Sequence, residues 1–339
     1  MKFFSDFRVT CLAPISKANK NRKQKKAIDR RLADGWISLD EKDNNLPKIR
    51  TYYDFSNITS IDTSAALILT AEYDRLSKLI KKVPVTINLE DWSEQVFQKL
   101  YELGFFEVLQ LTSDVKERYR DNGHTRTMKI LSGSDAGEIQ IASEKLMELC
   151  HFIDPGVELD DDQRIAINTA VSEGMINVAR HAYKTTPDYD FEYEHVKSWW
   201  LTATADRLNR RLTIALFDQG ASIPVTLPKQ PQWKALLDRV FPTVAANEDG
   251  HKYRNDGRYI QTALKLRETS TEEPGRGLGL PQMKELIDTF NLGSLTIWSR
   301  GGQCTYNGYG KSSVDSHIYS VGGTLIEWII ELPKAKSDG

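Results

Sequence analysis

Three segments in the second half of this 339-residue chain repeat bulky apolar residues at every second position, and that pattern restricts the fold more than any other feature. They are Leu212, Ile214 and Leu216; Leu295 and Ile297; and Ile326, Trp328, Ile330 and Leu332. A period of two is that of a strand, whose successive side chains point to opposite faces. A half-buried, mostly antiparallel sheet is therefore expected. Before it, a short strand is expected at Met128 to Leu131, a helix from about Glu138 to Phe152, and a longer helix from about Asp162 to Tyr183. The acidic residues that open the longer helix suit its N-terminal dipole. Sheet plus helices make this half an α/β two-layer sandwich.

The first half reads as a smaller α/β unit. Ile49 to Phe55 has strand character, Ile61-Asp62-Thr63-Ser64 leads into a helix with Leu69, Tyr73, Leu76 and Ile80 on one face, and Thr63 or Ser64 can cap that helix. Val85, Ile87 and Leu89 form a second strand, and Val96, Phe97, Leu100 and Leu103 a second helix that Gly104 stops. The polar run from Ser113 to His124 offers little to bury. The expected division is thus a first domain over 1–112, a linker over 113–124 and a second domain over 125–339, as the chain length also suggests. Between the strand at Leu212 and the glycines at Gly275 lies a long stretch with Pro224, Pro228, Pro231 and Pro242, expected to be an irregular lid over about 225–274.

Charge and cysteine content exclude several classes. A formal net charge of -2 gives no global pull toward nucleic acid or an anionic membrane. The basic run from Lys17 to Arg31 is either a solvated helix face or a place for an acidic partner. Cys11, Cys150 and Cys304 are too few and too scattered for a disulfide framework or a zinc site, and no apolar run approaches the roughly 20 residues that span a bilayer. A cytoplasmic location and no membrane contact are expected.

Candidate chemistry sits on the long helix, where Glu173, Asn177 and His181 are four apart and so share a face. A carboxylate and an amide beside apolar Ile165, Val171, Met175, Ile176 and Val178 are costly unless partners satisfy them. Mg²⁺ takes oxygen ligands and keeps several waters, so the Asn177 carbonyl with nucleotide phosphates suffices to hold it. Glu173, one turn earlier, is placed to deprotonate a nucleophile. His181 reads as a pocket-wall or core residue. The strand from Leu212 ends at Asp218-Gln219-Gly220, a carboxylate beside a glycine that lets a flat ligand approach the backbone. Gly275, Gly277, Leu278, Gly279 and Leu280 open a helix whose first amides can face phosphate oxygens. Thr324, after Gly322 and Gly323, begins the last strand with a hydroxyl.

SEGMINVARHAY, FDQGASIP, GRGLGLPQMKELI and GGT resemble the N, G1, G2 and G3 boxes of the GHKL ATPases, the Bergerat-fold family of gyrase, Hsp90 and histidine kinases, over roughly residues 125 to 333. Within it the chain looks most like the anti-sigma-factor serine kinases. The resemblance implies ATP and Mg²⁺ as cofactors, adenine recognition by Asp218, metal binding by Asn177 and a general base at Glu173. Ser222 stands where the G1 box usually has a second glycine. Lys252, Arg254, Arg258, Lys265 and Arg267 of the lid are either solvated charges or a screen for the γ-phosphate. Residues Ile49 to Leu109 resemble the STAS domains of anti-sigma-factor antagonists, while residues 1 to 45 match them poorly. There Thr63 corresponds to the phosphorylated hydroxyl, with a helix cap as the other reading.

These resemblances imply a signalling protein with a protein partner, working as a serine/threonine kinase or a partner-switching regulator, with a homodimer also compatible. Two other functions stay open: an ATPase conformational switch of the mismatch-repair or chaperone kind, and a nucleotide-sensing scaffold without chemistry.

Overall fold

Strands form at all three alternating segments and pair side by side. The computed structural model describes residues 37–38, 50–55, 57–80, 85–111, 113–156, 158–183, 195–229, 252–265 and 279–333. The chain divides into two compact units, Met1–Asn122 with Tyr193–Val196, and Gly123–Glu192 with Lys197–Gly339.

In the first unit β1 (Ile37–Ser38) pairs antiparallel with β2 (Arg50–Asp54), and β2 pairs parallel with β3 (Val85–Ile87). Helix α1 (Thr63–Ile80) connects β2 to β3, and α2 (Glu94–Leu103) and the short α3 (Phe105–Val108) follow. Neither Thr63 nor Ser64 caps α1. Asp62 does, its Oδ1 accepting the Ala65 N–H at 2.6 Å, because it precedes the first helical residue and a carboxylate is a strong acceptor for an orphan amide. Thr63 is the first helical residue and is buried. Gly104 ends α2 in the left-handed region at φ 86°, as the sequence suggests. The core is aromatic: Tyr73, Trp92, Phe97, Phe105 and Phe106 are buried and meet edge-on or tilted.

The polar run after residue 112 is more than a spacer. Ser113–Lys116 forms a turn of helix, α4, with Val115 buried. The Arg118 guanidinium lies 4.2 Å from the Phe97 ring centre, and Tyr119 stacks on Tyr101 at 4.4 Å while donating to Glu102 at 2.9 Å. Long amphipathic side chains bury their stems while staying polar at the tip, and a count of hydrophobic letters misses that burial.

The second unit holds one eight-stranded sheet. Its strands are β4 (Thr125–Thr127), β5 (Leu131–Gly133), β6 (Trp199–Asp206), β7 (Arg211–Asp218), β8 (Gly293–Ser299), β9 (Gly302–Tyr306), β10 (Ser312–Ser316) and β11 (Thr324–Glu331). The order is β10-β9-β8-β11-β7-β6-β4, with β5 also on β6, and every pairing is antiparallel. Helices α5 (Ile139–Ile153), α6 (Asp161–Asn177) and, later in the chain, α9 (Gly279–Phe290) pack their apolar residues into a shared core with the sheet. Leu216, Ile297 and Trp328 are each fully or almost fully buried there, and each such side chain contributes on the order of 2 kcal/mol. This is the α/β sandwich expected.

Helix α6 starts with a capping box: Asp160 accepts the Gln163 N–H at 2.8 Å, and Gln163 reaches back to the Asp160 N–H at 3.2 Å. Only one of its faces is buried, the one carrying Ile167, Val171, Gly174, Met175 and Val178. Ile165, expected at a buried surface, is 61% exposed because it lies on the opposite side. Gly174 lets the helix lie close to β7, since a Cβ there would sit 2.4 Å from Leu216 Cδ2. The regular helix stops at Asn177 and Val178–Ala182 form a π turn, so the expected single helix to Tyr183 changes pitch immediately after the metal-ligand candidate.

The stretch expected to be an irregular lid is partly ordered secondary structure. Ile223–Thr226 is a short helix, α7, and Asp256–Lys265 is helix α8, which lies against the outer strands β9 and β10 and buries Ile260 and Leu264 in the sheet's core. The prolines that suggested irregularity precede α8, whose apolar residues keep helical spacing. Residues 230–251 and 266–278 lie outside the described residues, as does the basic run from Lys17 to Arg31.

Candidate functional site

Asp218, Thr324 and Ser299 form one row across three neighbouring strands: Asp218 pairs with Thr324, and Thr324 with Ser299. Directly paired residues point to the same face, so a carboxylate and two hydroxyls converge at one end of the sheet. All three are buried. The Ser299 and Thr324 hydroxyls share a hydrogen bond of 2.9 Å, and Ser299 Oγ also accepts the Ile223 N–H at 2.9 Å, which fixes the start of α7 against the row.

Asp218 is 5% exposed and accepts the Gly220 N–H at 2.8 Å on Oδ1. An ionised carboxylate has room for several donors. Among the described residues one backbone amide and no cation acts on it, and burial pushes the Asp218 carboxyl up to about 7 from an ordinary 3.8. Such a group has acceptor capacity that no described residue uses beyond the Gly220 N–H.

Two glycines give this end its shape. A Cβ on Gly323 would lie 1.9 Å from the Asp218 carbonyl oxygen, and Gly323 has φ +152°, so the last-strand backbone touches the end of β7. A Cβ on Gly220 would lie 2.4 Å from the Ala182 carbonyl oxygen. The loop after Asp218 is bonded to the π turn: Ala221 N–H donates to Ala182 O at 2.7 Å. Tyr183 adds a second tie, donating its hydroxyl to Ser198 O at 2.6 Å and accepting the Gln219 N–H at 3.0 Å. Thus the end of the helix that carries Glu173 and Asn177 is fastened to the loop that carries Asp218.

Glu173 and Asn177 are half-buried on the flank of α6, and His181 is half-buried in the π turn. The side-chain nitrogen of Asn177 is buried and has no hydrogen-bond partner among the described residues. Amide orientation follows from hydrogen bonding, and the unspent position can equally present the carbonyl oxygen. Among the described residues no group of three or more His, Cys, Asp or Glu side chains could hold a metal alone. A divalent ion at Asn177 would therefore need oxygens from a ligand, which is the chemistry of Mg²⁺ with phosphates. The residues fit that group.

Gly279 opens α9, and half-buried Leu280, like Ile223, packs against the small Leu227–Ala263 cluster. Gly275, Gly277 and Leu278 lie outside the described residues. Of the lid cations, Lys252 lies over the Tyr253 ring at 5.4 Å, Arg254 gives its carbonyl to Ser316, and Arg258 and Lys265 are on exposed positions of α8. Arg267 lies outside the described residues.

Motif reading assigned no role to Tyr183, although it closes SEGMINVARHAY, nor to Ser299 or the Gly323 contact. Ser299 is two residues beyond Ile297 in the alternating strand and offers no sequence signal until the register is known.

Residues 147–304 match the model of the histidine kinase-like ATPase domain family. That match supports an ATP-binding domain of the GHKL type here, and it spans Glu173, Asn177, Asp218, Gly220 and the Gly275–Leu280 run. Thr324 lies beyond it. No curated protein matches the chain. Among the described residues no helix is long and apolar enough to cross a membrane.

Proposed function

We propose that the second unit binds ATP with Mg²⁺ and that the chain is a signalling protein, a serine/threonine kinase or a partner-switching regulator. The observation that carries the nucleotide reading is Asp218, a buried carboxylate at a strand end whose described donor is a single backbone amide. The exocyclic amine of adenine supplies the missing donor. Gly220 and Gly323, lacking Cβ atoms, let the π turn and the start of the last strand close in on the main chain around it.

At the other end Asn177 offers an oxygen to Mg²⁺, which when bound shields the phosphates as charge develops in phosphoryl transfer. Glu173, one helical turn away, takes the proton from a serine or threonine hydroxyl as that oxygen bonds the γ-phosphorus and ADP leaves. With water as nucleophile the same geometry gives an ATPase. The half-buried position of Glu173 on the flank of α6 supports a base that can meet an incoming hydroxyl.

Isothermal titration calorimetry of the full chain with ATP and Mg²⁺ tests the binding reading. Micromolar to sub-millimolar binding that Asp218→Asn weakens supports it, and no heat at millimolar ATP refutes it. Incubation with γ-labelled ATP, with and without cell lysate, then separates the functions. Label on a protein side chain that Glu173→Ala abolishes supports the kinase. Free phosphate without labelled protein favours the ATPase, and neither product favours the scaffold. Label on Thr63 would make the first unit its own substrate. Because Thr63 is buried at the start of α1, that modification requires the helix start to open.

A further inference from the structure

Helix α8 is joined to the base end of the candidate pocket by one ion pair. Asp256, in the first turn of α8, is 1% exposed and uses both carboxylate oxygens: Arg300 Nε donates to Oδ2 at 2.7 Å and Nη2 to Oδ1 at 2.6 Å, while Gly301 N–H also reaches Oδ2 at 3.1 Å. This two-pronged arrangement is the strongest and most directional form of such a pair. The carboxylate raises the Arg300 guanidinium pKa above its ordinary value and keeps it charged. The Tyr253 ring lies beside the guanidinium at 5.2 Å.

The contact is built for closeness. A Cβ on Gly302 would lie 2.3 Å from the Asp256 carbonyl carbon, one on Gly257 2.4 Å from Asp315 O, and one on Gly301 2.4 Å from Tyr253 Cβ. Backbone meets backbone at the turn between β8 and β9, and Arg300 occupies that turn in the left-handed region at φ 55°.

From Arg300 the connection continues through the main chain. Its N–H donates to Gly323 O at 3.1 Å, and its carbonyl accepts the Val321 N–H at 2.7 Å. Gly323 is the residue packed against the Asp218 carbonyl, and the neighbouring Ser299 holds Thr324. Three consecutive contacts therefore run from α8 to the main chain of the residue whose side chain would read the base: Asp256 to Arg300, Arg300 to Gly323, and Gly323 to the Asp218 carbonyl.

We infer that Asp256 and Arg300 are positioning residues for nucleotide base recognition, through which helix α8 sets the placement of Gly323 and the Asp218 backbone. This rests on the nucleotide reading above. Neither residue need touch the ligand. Their role is to hold the left-handed turn at Arg300, and with it the carbonyl of Gly323, at the distance that Asp218 requires.

The test compares ATP with ITP, which has a carbonyl in place of the 6-amino group that Asp218 would accept. Calorimetry is run on the folded full chain, wild type, Asp256→Asn and Arg300→Lys, with circular dichroism and cooperative melting confirming the fold. The lysine variant keeps the charge but loses the two-pronged geometry. We expect the wild type to prefer ATP and both variants to lose about tenfold of that preference, the worth of a charge-assisted hydrogen bond put out of line. A merely structural role would lower the fraction of competent protein for both nucleotides alike and leave the ratio unchanged. Wild-type preference for ATP with an unchanged ratio in folded variants overturns this inference alone. Wild type that binds neither nucleotide overturns the nucleotide reading, and this inference with it.

Discussion

Asp218→Asn is expected to make the ligand-free protein more stable at neutral and alkaline pH, although it removes the central residue of the candidate site. Burial lifts the carboxyl from 3.8 to about 7 in the folded chain, while the unfolded chain keeps the ordinary value. Between these pH values the folded state holds a proton that the unfolded state has released, so stability falls as pH rises from about 4 to about 7 and levels off above. Three units at about 1.4 kcal/mol each give a cost on the order of 4 kcal/mol above pH 7. Asparagine carries no charge and keeps an oxygen for the Gly220 N–H, so it escapes the cost, and the hydrogen bond to the ionised form is already contained in the shifted value. The net gain is on the order of 4 kcal/mol at pH 8. Urea unfolding at a series of pH values, followed by tryptophan fluorescence, reads it, because Trp199, Trp200 and Trp328 are buried in the sheet. The gap between variant and wild type should grow from near zero at pH 4 to its full value above pH 7. A gap independent of pH, or an asparagine variant less stable at pH 8, refutes the reasoning.

Nucleotide binding that favours the ionised carboxylate should expel a proton. Calorimetry near pH 7 in buffers of different ionisation enthalpy is expected to show release of a fraction of one proton per ATP, absent in Asp218→Asn. Asn177→Ala should leave stability within about 1 kcal/mol, since it deletes a buried nitrogen that has no partner among the described residues. It should abolish the difference between ATP affinities measured with Mg²⁺ and with EDTA, and a retained Mg²⁺ dependence would count against the metal role. Gly323→Ala places a Cβ 1.9 Å from the Asp218 carbonyl at a φ of +152°, so a loss of about 3 kcal/mol or more in unfolding free energy and loss of ATP binding are expected together.

What could be read in advance follows from which residues carry periodic signals. Leu212 to Leu216 and Ile326 to Leu332 alternate because one face of their strands meets the helices more tightly than the other, and their registers place Asp218 opposite Thr324 as the motif order suggests. Strand β6 escaped notice because the apolar half of its alternation shrinks to Ala203 and Ala205 beside Thr202 and Thr204, so no bulky residues mark the period although seven of its eight residues are buried. The hairpin of β9 and β10 has short strands rich in Ser, Thr and Gly, which read as loop until α8 covers them. Asp256 and Arg300 lie 44 residues apart with no motif between them, so only the fold brings them together. Ile165 misled because apolar letters on a helix say nothing about which face turns inward until a sheet lies beneath one of them.

The wide turn at Val178–Ala182 has a geometric corollary. In an α-helix each residue advances by about 100° around the axis, and a π turn absorbs roughly one residue more than an α turn. Asn177 rides on the narrow part of the coil, whereas Ala182 and Tyr183, which grip the loop beside Asp218, follow the wide part. The angle between the two ends of the site is therefore set by a single surplus residue. Shortening this turn by one amino acid would swing Tyr183 away from Gln219 without moving Glu173 or Asn177 at all.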